Sequence, residues 1–250
     1  MIKQSFIFLT NTKQKKESNI WKQSINDWDD FLNVQNIIGL SRKSKIIHDE
    51  EIKEAKKHLF EENTKYFQNI LPLSEQWRLY NEYKHQAVYL DIETDGYRNI
   101  TVIGLFDGLE TKFLVNGSNL TKENLANALN QYKMILTFNG ASFDIPFIEK
   151  YFQVNLNHIH IDLRHVCSKI GLTGGLKEIE KQLNIQRPQE LDCLRGHNAV
   201  ELWKMWKVTG EERFIKLLLQ YNDEDCYNLK KIAEYAIPKL WDKIRNNEIL

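Results

Sequence analysis

Two carboxylates stand two residues apart in the segment Asp91-Ile92-Glu93-Thr94, at the end of a predicted strand. Side chains along a strand alternate between its two faces, so Asp91 and Glu93 share one face while Leu90 and Ile92 point to the other. Two like charges are thereby held side by side, an arrangement that suits a bound cation. Acidic residues also close many strands without any chemical role, so this segment alone does not decide between the two interpretations.

A third carboxylate, Asp144, stands between the turn residues Asn139-Gly140 and Pro146, immediately after an apolar run. Proline suits the first turn of a helix, because its missing N–H would be unpaired there. We therefore expect Asp144 at a corner between a strand and a helix. An aspartate at that place either caps the helix by accepting backbone N–H groups or takes part in chemistry.

A fourth carboxylate, Asp225, follows Tyr221 by four residues, in a segment predicted to open a long helix over 221–236. Residues four apart lie on one helical face, so the phenol and the carboxylate project together. An acidic first turn, stabilised by the helix dipole, would explain Asp223, Glu224 and Asp225 equally well. It would not explain the tyrosine.

The order and spacing of the three segments resemble those of the DEDD, or DnaQ-like, 3′-to-5′ exonuclease superfamily of the ribonuclease H fold, in the subclass whose third motif carries tyrosine. The resemblance implies that Asp91, Glu93, Asp144, Tyr221 and Asp225 are catalytic. It further implies that the four acids are metal ligands. All four acids are present.

Within that superfamily the chain is most similar to the YprB-type ribonuclease H-like proteins. The supporting segments are Trp77-Arg78-Leu79-Tyr80, Gly175-Leu176-Lys177-Glu178-Ile179-Glu180 and Gly196-His197-Asn198-Ala199-Val200-Glu201-Leu202-Trp203. The similarity extends from about Phe6 to Ile232. It implies an enzyme that removes nucleotides from a 3′ end of DNA or RNA, most simply from a single strand.

Such chemistry calls for oxygen ligands, which Mg²⁺ and Mn²⁺ prefer, and two ions about 3.5 to 4 Å apart can stabilise both the attacking and the leaving oxygen of a phosphodiester displacement. By the resemblance, Asp91 and Asp225 ligate metal, Glu93 ligates metal and steers the substrate end, and Asp144 acts through bound water. Tyr221 would orient the attacking water, because a phenol with a pKa near 10 is a poor base at neutral pH. Crowded carboxylates repel each other, so we expect cation binding to stabilise the fold.

The elements that must position these residues follow from hydrophobic patterning. Strands are predicted by β-branched and aromatic runs, and helices by apolar residues at three- and four-residue steps. The predicted strands are 87–93, 98–106, 110–115, 133–138 and 158–163, and the predicted helices of the second part are 121–132, 176–183, 199–208 and 221–236. Three antiparallel strands followed by alternating helices and strands predict an α/β fold with one mixed sheet, antiparallel and then parallel, flanked by helices. The family resemblance implies that this sheet is ribonuclease H-like.

Residues 1–80 are predicted to form a small helical module, and 86–250 the ribonuclease H-like exonuclease domain. The module resembles the helix-hairpin-helix-like leader of the same family, with Asn11-Thr12-Lys13 in place of a glycine hairpin. Without glycines, backbone contacts to phosphate are disfavoured, and Lys13, Lys15 and Lys16 would have to supply side-chain contacts. A purely structural packing role for the module is the alternative.

Other groups of residues allow further interpretations. His158, His160, Asp162 and His165 include zinc-type ligands, but they also fit the polar end of a strand, with Asp162 hydrogen-bonded or paired to Arg164. Lys177 and His197 could contact phosphate or substrate, or could simply be solvated helix residues. The motifs of P-loop enzymes, zinc peptidases and serine hydrolases do not occur in the sequence.

Composition narrows the class of protein. The 250 residues carry 34 basic and 34 acidic side chains, so no strongly basic domain indicates nucleic acid by charge alone. No membrane span or signal peptide is evident, and Cys167, Cys193 and Cys226 suggest neither disulfides nor a metal knuckle, so we expect a cytoplasmic protein with reduced thiols. The competing hypothesis is an inactive nucleic-acid-binding or protein-interaction module on the same fold. The sequence does not indicate an oligomeric state.

Overall fold

The computed structural model describes residues 1–192, 194, 196–246 and 248. The chain forms two compact units. The first consists of residues 1–84 together with 238–250, and the second of residues 85–237. The segments with candidate chemistry all lie in the second unit.

The second unit is built on one sheet of five strands in the order β3-β2-β1-β4-β5. The strands are β1 (Ala87–Thr94), β2 (Ile100–Phe106), β3 (Thr111–Val115), β4 (Met134–Thr137) and β5 (Ile159–Asp162). The pairs β1 with β2 and β2 with β3 are antiparallel, whereas β1 with β4 and β4 with β5 are parallel. The predicted mixed sheet is confirmed.

In the described part of the second unit, seven helices follow or interrupt the strands. They are α6 (Lys122–Leu129), α7 (Asp144–Phe152), α8 (Leu163–Lys169), α9 (Leu176–Gln182), α10 (Gln189–Asp192), α11 (Gly196–Thr209) and α12 (Glu212–Arg245), which continues into the first unit. Thr121 caps α6 as predicted, accepting the Asn124 N–H.

The helix that carries Tyr221 and Asp225 begins earlier than the sequence predicts, at Glu212. The prediction that Tyr221 opens it is wrong, because the buried positions Leu218, Tyr221, Asp225 and Leu229 continue one helical face across the acidic segment. The acids therefore lie in the middle of a helix, so the dipole of a first turn does not explain them.

Helices cover both faces of the sheet. On one face Leu90 of β1 shares a core with Leu125 of α6 and Ile148 of α7. On the other face Val102 of β2 shares a second core with Leu218 of α12 and with residues of α11. The sheet is thus the middle layer of the unit, which places the carboxyl end of β1 between the two helical layers.

The first unit is helical, as predicted. Its α-helices are α1 (Gln14–Trp21), α2 (Trp28–Asn33), α3 (Arg42–Phe60), α4 (Thr64–Ile70) and α5 (Tyr80–Tyr83), with 3₁₀ helices at Ile2–Gln4 and Leu73–Leu79. A further 3₁₀ helix, Lys84–Gln86, spans the boundary between the units. Asn11 has a left-handed backbone (φ 56°), and Lys13 is the N-cap of α1. Lys13 and Lys15 are exposed, and their contact with nucleic acid stays a prediction.

A buried ion pair in the first unit joins α1 to the 3₁₀ helix Leu73–Leu79. Glu17, which is fully buried, accepts hydrogen bonds from the Ser5 hydroxyl (2.8 Å) and the Phe6 N–H (2.6 Å). The Arg78 guanidinium contacts both of its oxygens, at 2.8 and 3.0 Å. The carboxylate is therefore saturated with donors.

Cys167 and Cys226 are buried free thiols, and Cys193 lies outside the described residues. In the described part of the chain, no helix combines the length and the apolar character that crossing a membrane requires.

Candidate metal-binding active site

Strand β1 presents the first two candidate residues. Asp91 pairs with Gly104 of β2 and Glu93 with Val102, and the register shifts between Glu93 and Thr94. Glu93 is buried and Asp91 half-buried. Leu90 and Ile92 face the core on the other side of the sheet, as predicted. The carboxylates of Asp91 and Glu93 therefore project together toward α12.

Helix α12 approaches β1 closely because position 104 has no side chain. A Cβ atom on Gly104 would overlap the Asn222 Oδ1 atom and lie 2.8 Å from the Cys226 sulfur. At this approach the Asn222 Nδ2 group donates to the Asp91 Oδ2 atom at 2.8 Å. Asp225, one turn further along the helix, is thereby brought to the carboxylates of β1.

Three of the predicted acids form a close group. Asp91, Glu93 and Asp225 each offer a carboxylate oxygen, and these oxygens lie within 4.8 Å of one another. In the chain as described, no other group of three acidic, histidine or cysteine side chains is placed to hold a metal ion. A set of oxygen donors fits Mg²⁺ or Mn²⁺ rather than a thiolate-preferring metal.

Asp144 stands beside this group but is not one of the three. It is the first residue of α7, it is buried, and its Oδ1 atom accepts the Ile92 N–H of β1 at 3.2 Å. The predicted corner between strand and helix is confirmed. Asp144 is thus anchored to the strand between Asp91 and Glu93.

The corner itself is held by a different aspartate. Asn139 has a left-handed backbone (φ 66°), and the Asp162 carboxylate accepts the N–H groups of Asn139 (2.8 Å) and Ala141 (3.1 Å). Asp162 also accepts the Arg164 N–H at 3.0 Å, as an N-cap of α8. Its hydrogen bonding, predicted from the sequence, therefore supports the loop that leads to Asp144.

Burial and mutual repulsion favour protonated acids in the cluster. Burial is the largest cause that raises the pKa of Asp91 and of Glu93 well above the ordinary range, and the charge of Asp225 adds to it in both. Burial also raises the pKa of Asp144 to about 7. The pKa of Asp225 is raised by burial and lowered by Arg187, to about 6. A bound cation would favour the charged carboxylates and so oppose both the burial and the repulsion that raise their pKa values.

Tyr221 keeps its proton in this environment. Burial raises the pKa of its phenol above the ordinary value of 10, and the charges of Asp225 and Glu93 raise it further. The ring faces the Lys177 Nζ atom, which is 5.3 Å from the ring centroid. The phenol is therefore a hydrogen-bond donor beside the carboxylates rather than a base.

Lys177 is buried, which contradicts the expectation of a solvated helix residue. Its Nζ group donates to the carbonyl oxygens of Leu191 (3.1 Å) and Leu194, because the side chain turns inward beneath the segment that follows α9. His197 is exposed, in agreement with the solvated interpretation.

Two residues at the site were not predicted from the sequence. Arg187 places its Nη2 atom 2.5 Å from the Asp225 Oδ1 atom, and Asn222 holds Asp91 as described above. Asn222 has a signal in the sequence, since it is a polar residue on the buried face of α12, four positions after Leu218. Arg187 lies in an irregular segment without periodicity, so the sequence offers no comparable signal.

The histidine group does not form a zinc site. The His158 Nε2 group contacts the Leu129 carbonyl at 3.3 Å, and His160 shares a hydrogen bond with the Thr137 hydroxyl at 2.9 Å. Burial lowers the pKa of His160 to about 4. The His165 ring stands 4.0 Å from Asp162, which already caps α8.

Residues 88–237 match the sequence model of the RNase_H superfamily, and the chain belongs to this superfamily. The match contains β1, the corner at Asp144 and the part of α12 with Tyr221 and Asp225. A search of curated proteins and a search of solved structures each found no match. Superfamily membership and the carboxylate cluster together indicate a nuclease.

Proposed function

We propose that the protein is a metal-dependent nuclease that removes nucleotides from the 3′ end of DNA or RNA. The observation that carries the proposal is the group of three carboxylates, Asp91, Glu93 and Asp225, whose oxygens lie within 4.8 Å inside the superfamily match. Buried acids at this spacing raise one another's pKa, a cost that structural acids avoid by pairing.

The donor set supports Mg²⁺ or Mn²⁺ as the cofactor. Asp91, Glu93 and Asp225 would hold the metal directly, and Asp144, anchored through its Oδ1 atom to β1, would contribute through water. When bound, a pair of such ions supplies a nucleophile and stabilises charge on the phosphodiester oxygens. Two ions rather than one is part of the proposal.

The remaining roles belong to groups of the chain itself. The neutral phenol of Tyr221 would donate a hydrogen bond that orients the attacking water, since burial keeps it protonated. Glu93, buried at the end of β1, would limit where the substrate end can lie. Action at a 3′ end, and on a single strand, is supported by the resemblance to DnaQ-like exonucleases.

The test uses purified protein with Mn²⁺ or Mg²⁺ and single-stranded DNA and RNA labelled at the 5′ end. We expect a ladder of products that shorten stepwise, and none in EDTA. Asp225→Asn should lower turnover by more than about 100-fold, because losing a metal ligand costs more than losing a residue that only orients a ligand. Asp223→Asn is the matched control, because Asp223 is on the same helix but exposed.

Binding of the labelled strands without cleavage by the wild type would contradict the nuclease and favour an inactive nucleic-acid-binding module. Internal cuts without a stepwise ladder would contradict action at an end while leaving the nuclease class intact. Equal activity of Asp225→Asn and Asp223→Asn would remove the carboxylate group from the mechanism.

A further inference from the structure

Arg187 brings a positive charge into the acidic group from outside the three acidic segments. It lies between α9 and α10, and its side chain is only 1% exposed. Its Nη2 atom stands 2.5 Å from the Asp225 Oδ1 atom. A buried guanidinium this close to a candidate metal ligand constrains the orientation of that carboxylate.

The Arg187 guanidinium is in turn fixed by a second acid, Glu180. Its Nε group donates to the Glu180 Oε2 atom at 2.7 Å, and its Nη2 group contacts the Glu180 Oε1 atom. The Asn228 Nδ2 group donates to Glu180 at 3.1 Å. Asn228 follows Asp225 by one turn of α12. Arg187 and Glu180 therefore connect two residues of the same helix.

The guanidinium has spare donors. Its Nη1 atom is buried and has no hydrogen-bond partner among the described residues. Among the described residues, Arg187 forms ion pairs with Glu180 and with Asp225. The planar fork of arginine can hold two carboxylates at once, which the single ammonium of lysine cannot do with the same geometry.

We propose that Arg187 is a positioning residue of the active site, which, clamped by Glu180, fixes the orientation of the Asp225 carboxylate relative to Asp91 and Glu93. The proposal rests on the proposed function. Asp225 is buried on α12, and its ion pair with Arg187 restricts the orientations that its carboxylate can take. Metal ligands are commonly oriented by such outer partners.

The test separates positioning from charge. Arg187→Lys keeps the positive charge but loses the fork, so we expect Mn²⁺ affinity, measured by calorimetry, to stay near that of the wild type. Turnover should fall about 10- to 100-fold, the usual cost of losing an outer partner of a ligand. Arg187→Gln removes the charge that competes with Mn²⁺, and we expect it to bind Mn²⁺ more tightly while turnover stays low.

A second variant approaches the clamp from its other side. Glu180→Gln leaves Asp225 and Arg187 in place but weakens the support of the guanidinium. We expect a smaller loss of turnover in the same direction, again with little change in Mn²⁺ affinity. Arg213→Lys is the control, because Arg213 is 72% exposed and forms its ion pair with Glu211, away from the acidic cluster.

Wild-type turnover in Arg187→Lys would overturn the proposal, and so would a parallel loss of Mn²⁺ binding and turnover, which a merely structural role predicts. If Arg187→Lys does not fold, wild-type turnover in Glu180→Gln would overturn it equally. These results differ from a failure of the proposed function, in which the wild type itself would not cleave. If the wild type does not cleave, an Mn²⁺ affinity of Arg187→Gln equal to that of the wild type would still contradict an influence of Arg187 on the metal site.

Discussion

The buried carboxylate of Glu17 in the first unit and the acidic cluster in the second differ in how their negative charge is compensated. In the first unit, Glu17 accepts hydrogen bonds from the Ser5 hydroxyl and from the N–H groups of Phe6 and Ile7, and is paired with Arg78. In the second unit, four acids stand close together and Arg187 contacts only Asp225 among them. A buried carboxylate that stabilises a fold is saturated with donors, whereas an undersaturated cluster is suited to a ligand that supplies the missing positive charge.

Removing the charge of Glu17 should lower stability more than any other change considered. Glu17→Gln removes the fully buried counter-charge of the Arg78 guanidinium, which is 1% exposed, and leaves it paired with the partly exposed Glu75. We expect the free energy of unfolding to fall by about 3 to 5 kcal/mol, the usual cost of removing one partner of a buried ion pair. Denaturant unfolding of the variant measures it.

The same type of change should act in the opposite direction at the cluster. In EDTA, Asp91→Asn removes one of several repelling carboxylates, so the metal-free variant should be at least as stable as the wild type. Destabilisation of Asp91→Asn as large as that of Glu17→Gln would show that the two groups do not differ.

The acidic cluster should also make the stability of the protein depend on pH and on bound metal. The pKa values of Asp144 (about 7) and Asp225 (about 6) lie above their ordinary value of 3.8, so the folded state holds more protons than the unfolded state between those limits. The stability of the metal-free protein should therefore fall as the pH rises from about 4 to about 7. Mn²⁺ at about 100 times its Kd should add about 2.7 kcal/mol.

Because the cation competes with protons, the gain from Mn²⁺ should be larger at pH 8 than at pH 5. Melting curves at both pH values, with MnCl₂ and with EDTA, measure it. An equal shift at the two pH values would contradict an acidic metal site, and no shift at saturating Mn²⁺ would contradict cation binding altogether.

The smallest expected effect concerns the phenol. Tyr221→Phe removes one hydrogen-bond donor and no metal ligand, so turnover should fall about 10-fold, the value of one hydrogen bond, while Mn²⁺ affinity stays unchanged. Tyr227→Phe, at a half-exposed position on the same helix, is the control. Loss of Mn²⁺ binding in Tyr221→Phe would assign the tyrosine a different role.

The features that the sequence predicted correctly are those with local signals. Alternation along β1 predicts that Asp91 and Glu93 share a face, and the Asn139-Gly140 turn with Pro146 predicts the corner at Asp144. The start of α12 was misplaced because acids at positions 223 to 225 imitate a first turn, although the apolar face begins before them. Periodicity over a longer window would have found Glu212.

The features that the sequence did not predict depend on contacts between distant parts of the chain. Arg187 meets Asp225 only because an irregular segment folds back onto α12, and no spacing in the sequence encodes that meeting. Lys177 turns inward for the same reason, toward the carbonyl groups of Leu191 and Leu194. Because lysine is mostly exposed in proteins, the sequence alone favours a solvated position for Lys177.

Gly104 contributes no chemistry, yet the distance between the strand acids and the helix acid depends on it. A single methyl group there would push against Asn222 and Cys226 and move the helix away from Asp91. A relative that kept every acidic motif but carried alanine at this position would therefore look complete when its motifs are inspected and would still fail to bring its ligands together. In judging whether such a relative is active, the smallest residue of β2 is as informative as any of its carboxylates.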